Sequence, residues 1–313
     1  MNREVAMRYD RDGFPIPPDF EPLRAAGDAR ETGGRAVPRT GAGWKRLAVM
    51  GLVAGVLLPA IVLPEAVPFV RPLVVGWALE RAAACEARSD IGGAVAAVGR
   101  ALRWQGADAE LLCLRAMLRL EDRDAAGALE DATSAAVEAP LSPQPLRVRA
   151  LVHVVLGNAD AALADAARVV SLATPGDAEA LNFRAYVRAL VGREVPEALA
   201  DIDAAIAALG EASPELLDTR GYILLLAGRT QDAIDQLNLA IDGMQQNRRQ
   251  LALLADRIDR DEFARRLRTL DHGLAVMLHH RALACEKAGL AEQAKQDFEL
   301  ARKKGFDPSR GIM

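Results

Sequence analysis

The stretch LDTRGYILLLAGRTQDAIDQLNLAI, residues 217–241, reads as two short helices joined at Gly228, with small residues at Gly221, Ala233 and Ala240 where the paired backbones come close. Its arginine, Arg220, is one of a series. Arg81, Arg115, Arg149, Arg184, Arg220 and Arg281 are each followed by Ala or Gly, at intervals of 34, 34, 35, 36 and 61 residues. A period near 34 with fixed small positions predicts stacked helix-turn-helix units, each too small to bury its own apolar face alone.

Other offsets keep the same phase. Thirteen residues after the arginine stand Ala94, Ala128, Ala162, Ala198 (one residue late), Ala233 and Ala294, and seven further on Ala101, Ala135, Val169, Ala205, Ala240 and Ala301. Three residues before it stand Ala78, Leu112, Leu146, Leu181, Leu217 and Leu278, and Gly157, Gly192, Gly228 and Gly289 separate the two helices of their units. At this spacing the sequence resembles the tetratricopeptide repeat family over six units, 75–108, 109–142, 143–176, 178–211, 214–247 and 275–308, with the family's aromatic positions mostly replaced by Ala, Leu or Val. The expected fold is all-α, a helical-hairpin solenoid over residues 75–313.

Composition agrees with helix packing through small side chains: 51% of residues are hydrophobic and only 4% aromatic. Five lysines among 39 basic residues, with abundant alanine, suggest a GC-rich bacterial genome. The net charge of −4 offers no basic field for nucleic acid. Cys85, Cys113 and Cys285 form no CxxC pattern and read as helix-packing residues. His279 and His280 are consecutive and diverge by about 100° on a helix, His272 lies about 10 Å along it, and His153 stands alone, so no metal site is expected. Neither a nucleophile elbow nor a phosphate loop nor a zinc-helix motif occurs, and no cofactor or enzymatic activity is expected.

Residues 1–45 are polar, lack a helical apolar period and are expected to be a disordered tail, within which FPIPPDFEP (14–22) places Phe14, Ile16 and Phe20 on a proline-stiffened strip that reads either as a docking segment or as an extended linker. Leu47 to Leu63 contains no charged residue, and the apolar character continues to Val70; residues 46–70 are expected to be a transmembrane anchor. Lys45, Arg46, Arg30, Arg35 and Arg39 precede it, which favours a cytoplasmic tail and an extracytoplasmic array on a bacterial inner membrane. A cleaved signal peptide and a buried soluble helix are the alternatives.

The 61-residue interval before Arg281 predicts an elongated antiparallel hairpin near 244–274, reversing near Asp259 to Asp261. Asp131, Asp165, Asp201 and Asp297 follow Arg115, Arg149, Arg184 and Arg281 by 16 or 17 residues, level with them once each hairpin folds back. These pairs are expected to be charge-assisted hydrogen bonds between the paired helices. Arg220 and Arg81 face Gln236 and Ala97 at that offset and are expected to lack the tie.

The resemblance implies a concave wall lined by the first helix of each unit. Its groove offsets fall on Leu114, Met117, Val148, Leu151, Phe183, Tyr186 and Tyr222, with Arg147, Asn182, Asp218 and Thr219 beside them. This lining implies a membrane-anchored interaction module taking an apolar protein or peptide segment, in a setting such as an envelope assembly or secretion complex. The alternative is a scaffold that associates with copies of itself.

Overall fold

The computed structural model describes residues 8–9, 15–16 and 67–306. Twelve α-helices occur among them: α1 Val67–Glu86, α2 Ile91–Gln105, α3 Ala109–Glu121, α4 Ala125–Glu138, α5 Pro143–Val155, α6 Ala159–Leu172, α7 Ala178–Val191, α8 Val195–Leu209, α9 Pro214–Leu226, α10 Thr230–Ala252, α11 Arg260–Lys287 and α12 Ala291–Lys303. Of the tail expected to be without order, only Arg8–Tyr9 (β1) and Pro15–Ile16 (β2) are described, and they pair antiparallel. The rest of that tail lies outside the described residues.

The expected anchor, 46–70, lies outside the described residues except for its last four, which open α1. The array was expected to begin at 75, after prolines had broken the chain, yet α1 runs through both Pro68 and Pro72. Pro68 falls in the first turn, where no intrahelical N–H bond is lost, and Pro72 forfeits a single bond, to the carbonyl of Pro68. Among the described residues no helix is long and apolar enough to cross a membrane.

The chain divides into two compact units, residues 1–118 and 119–313, with the boundary inside α3. In the first, α1 packs against α2 around Ala78, Ala82, Cys85, Ala94, Ala97 and Val98. In the second, α5–α6, α7–α8, α9–α10 and α11–α12 form hairpins, and the first helices α5, α7, α9 and α11 lie side by side in that order. Alanine at the crossing points brings the backbones close. Where the second helix of a hairpin carries a large side chain, the first gives way: a Cβ on Gly221 would stand 2.7 Å from Cγ of Leu237.

Helix ends follow from local chemistry. Asp90, Asp124 and Asp177 accept from the backbone N–H of Gly93, Gly127 and Ala180 at 3.0, 2.9 and 2.7 Å, and Ser142 and Ser213 precede a first-turn proline. Gly228 takes φ 79° and closes α9 with bonds from its own N–H to Leu225 and from that of Arg229 to Leu224. In the turns that follow α1 and α3, Ser89 and Arg123 occupy this left-handed place, with φ of 58° and 65°, which explains why no glycine marks those turns. The long hairpin consists of α10 and α11; α10 stops at Ala252, short of the expected reversal, and Asp259 caps α11 by accepting from the N–H of Glu262 at 3.2 Å.

At the C-terminal end, His279 packs against Phe298 and Phe306, with ring centroids 5.4 and 4.5 Å away. Burial, and secondarily the neighbouring His280, lowers its pKa from 6.5 to about 4. The unfolded chain therefore takes up a proton at His279 as pH falls below about 6.5, whereas the folded chain does so only near 4. The stability contribution is complete above 6.5 and is lost between 6.5 and 4. Urea midpoints of the full chain should fall over that window, and His279→Leu should flatten the fall; identical slopes in parent and variant would remove this assignment.

Candidate functional site

Two arrangements lie on the first helices of the hairpins, one turned toward the second helix and one turned away from it. The inward one holds the guanidinium groups. Arg149 donates through Nε and Nη2 to both oxygens of Asp165 at 2.8 and 2.7 Å, Arg184 does the same to Asp201 at 2.7 Å each, and Arg281 to Asp297 at 2.8 and 2.7 Å. The carboxylates are buried and the guanidiniums partly so, and the paired carboxylate holds each of these arginines above its ordinary pKa. Asp131 belongs to the second unit, where Arg119 donates to it at 3.0 Å and also reaches the carbonyl of Gly127. Arg115 belongs to the first unit, where a side chain at Gly99 would meet its Nη1 at 3.5 Å.

Sequence reasoning missed three polar fastenings. Arg188, one turn after Arg184, shares Asp201 and bridges it to Glu194. Arg220, expected to go without a tie, donates to Asp203 on the preceding hairpin at 2.8 Å, because Gln236 offers no charge and α8 does. Arg281 adds a bond from Nη1 to Oδ1 of Asn238 at 2.8 Å, also on the preceding hairpin. The signal for Arg188 was present as arginine four residues on from Arg184; nothing in the period marks Asp203.

The outward arrangement is a groove of about 360 Å³ across α5, α7, α9 and α11 of the second unit. Arg147, Asn182, Phe183, Tyr186, Asp218 and Thr219 line it as expected sites, and Glu179, Glu215, His272, Gly273, Val276 and Met277 join them unforeseen. Leu114 and Met117 lie in the first unit. Val148 is a correction: it is buried, because one residue's 100° rotation from Arg147 turns it into the core. Leu151 packs on a core cluster of α5, α6 and α7 around Ala150 and Val187, and Tyr222 lies against the α9–α12 core, so neither lines the groove.

The expected apolar lining is corrected too, since carboxylates crowd it. Arg147 donates to Glu179 at 2.7 Å and places its guanidinium 5.3 Å from the centre of the Phe183 ring. Asp218 is buried and bonds Nδ1 of the fully buried His280 at 2.9 Å, and Tyr222 stacks on that imidazole at 4.4 Å. Burial, reinforced by Asp218, raises the phenol pKa of Tyr186 far above its ordinary value. Burial alone raises that of Tyr222. Both tyrosines are therefore neutral. The cysteines are buried, and desolvation pushes the Cys113 thiol up to about 11, with Glu110 contributing, which leaves no thiolate at neutral pH. Among the described residues no three His, Cys, Asp or Glu side chains gather as metal ligands.

No family model and no curated protein matches the sequence. Similar solved structures include a thermophilic TPR protein of Thermus thermophilus, with 22% identity, TM-score 0.47, and coverage of 54% of this chain and 91% of that one. A tetratricopeptide repeat protein of Parabacteroides merdae has 18% identity and TM-score 0.45, covering 76% and 95%. A MamA protein has 15% identity and TM-score 0.41, covering 56% and 94%. The hairpin architecture described above stands on this chain's own helices.

Asp201 serves two guanidiniums and Asp165 one. Asp201→Asn should lower the unfolding free energy by about 3 kcal/mol and Asp165→Asn by about 2 kcal/mol, at the low end for buried pairs because the arginines reach solvent. Urea denaturation of the full chain measures both. Equal losses would mean that Arg188 adds nothing to the tie.

Proposed function

We propose that the chain is a protein-interaction module that takes a peptide segment of a partner in the groove across α5, α7, α9 and α11. The supporting observation is the groove itself: four consecutive first helices turn Phe183, Tyr186, Val276 and Met277, with a surround of polar side chains, toward one channel. Its mixed character suits an extended or helical segment that is amphipathic rather than purely apolar. Among the described residues of the groove no nucleophile is paired with a base, and the buried His280–Asp218 pair fastens α11 to α9.

A photo-crosslinking amino acid at the exposed His272 in the groove, compared with one at the exposed Ala204 on α8, tests this in cells. The expected outcome is a discrete heavier species from position 272 and none from 204. A product of twice the chain's mass would favour a self-associating scaffold, and equal products from both positions would remove the groove reading.

The reading includes a membrane anchor at 46–70 with the array on the extracytoplasmic side of a bacterial inner membrane. One observation supports membrane proximity: Phe69, Leu73 and Trp77, spaced four apart on one face of α1, are 80%, 62% and 46% exposed where the apolar run ends. Deleting residues 47–63 should release the chain from the membrane fraction. Retention in that fraction after deletion would exclude those residues as the anchor.

A further inference from the structure

The groove proposed above as a peptide site has an excess of acceptors over donors. The Oδ1 of Asn182 is buried and has no hydrogen-bond partner among the described residues. Asp218 commits Oδ1 to His280, and its Oδ2 has no partner among the described residues. Glu215 is exposed, and its carboxylate enters no ion pair among the described residues; only its backbone carbonyl is used, by the Thr219 hydroxyl at 3.1 Å. That bond spends the one proton of Thr219 and leaves its oxygen as an acceptor. The one guanidinium among the described residues of the lining, Arg147, is occupied by Glu179 and the Phe183 ring.

Residues 215, 218 and 219 stand at i, i+3 and i+4, so their acceptors share one face of α9. A ligand that satisfies them must supply several donors and positive charge. An acidic segment would meet carboxylates, and among the described residues of the lining no free guanidinium or ammonium receives it. A neutral apolar segment would strip water from these groups without replacing its hydrogen bonds.

We propose that the occupant is a segment of a partner protein carrying an arginine, whose guanidinium is received by Glu215, Asp218 and Thr219. A neighbouring apolar side chain of the segment rests on the half-buried Val276. The planar fork of five N–H donors matches an array of separated acceptors better than the compact ammonium of lysine. This inference rests on the peptide-groove reading and adds the chemistry of the ligand to it.

The test uses the detergent-solubilised full chain and four synthetic nonapeptide pools with randomised apolar flanks and a fixed central arginine, lysine, leucine or glutamate. The arginine pool should be retained at least about tenfold more than the leucine or glutamate pools, and measurably more than the lysine pool. Glu215→Gln should remove most of that preference while retention of the leucine pool is unchanged, and added salt should erode the arginine preference in the parent. Equal retention of all pools, or a preference for glutamate, overturns the arginine assignment and leaves the peptide groove standing. Equal retention of the arginine and lysine pools overturns the guanidinium specificity. Retention of no pool overturns the groove reading itself.

Discussion

A carboxylate on the second helix of a hairpin, buried against the first, must be met by a charge held at one height, and the arginine that meets it fixes both the register and the rotation of the two helices. Asp165, Asp201 and Asp297 are each gripped through both oxygens by Nε and Nη2 of one guanidinium. A bidentate pair tolerates little sliding, because moving one residue along the helix shifts the height by about 1.5 Å and the direction by about 100°. The rotation of the first helix then decides the surface. Positions two before and two after the arginine point about 160° away from the tie, and the position five before points about 140° away. Of those positions Arg147, Asn182, Tyr186 and Asp218, with Glu179, Glu215 and Val276, line the groove, whereas Leu151 and Tyr222 turn onto the core clusters. The groove is thus the far side of the tie.

This geometry explains what could be read from the sequence. The arginine and its aspartate lie 16 or 17 residues apart in every unit that has them, and small residues recur where the backbones meet, so hairpins and their phase follow from spacing alone. Ser89 and Arg123 could not be read as turn residues, because a left-handed backbone at a non-glycine position leaves no compositional mark. Val148 was misplaced by one step of helical rotation. The character of the groove was misjudged for a similar reason: Glu179 and Glu215 sit one turn upstream of the positions that the family's offsets mark, on the same face.

The contribution of α11 has a different origin. His272, Gly273, Val276 and Met277 lie between nine and four residues before Arg281, on turns that a hairpin of ordinary length would lack or end with. The elongation of α10 and α11 therefore does more than project from the array: it raises the fourth wall of the groove. A repeat-based reading treats the extra residues as an insertion between units and so removes them from the surface before asking what they touch.

Polar fastening also changes character at that place. Within α5–α6 and α7–α8 the arginine ties the two helices of its own hairpin, but Arg220 reaches back to Asp203, Arg281 divides its donors between Asp297 and Asn238, and Asp218 holds His280 across to α11. Bonds within a hairpin fix its internal register, whereas bonds between hairpins fix how one is set against the next. Long helices have more surface along which to slide, and an apolar interface of alanine and leucine resists sliding weakly, since neighbouring registers bury similar area. A buried imidazole is different. His280 has no exposed surface and its Nδ1 must find Asp218, so any other register leaves two polar groups unsatisfied in the core. The partner that α9 offers to α11 is the same residue that lines the groove, so the register of the long hairpin and the acceptors presented to a ligand are set by one carboxylate.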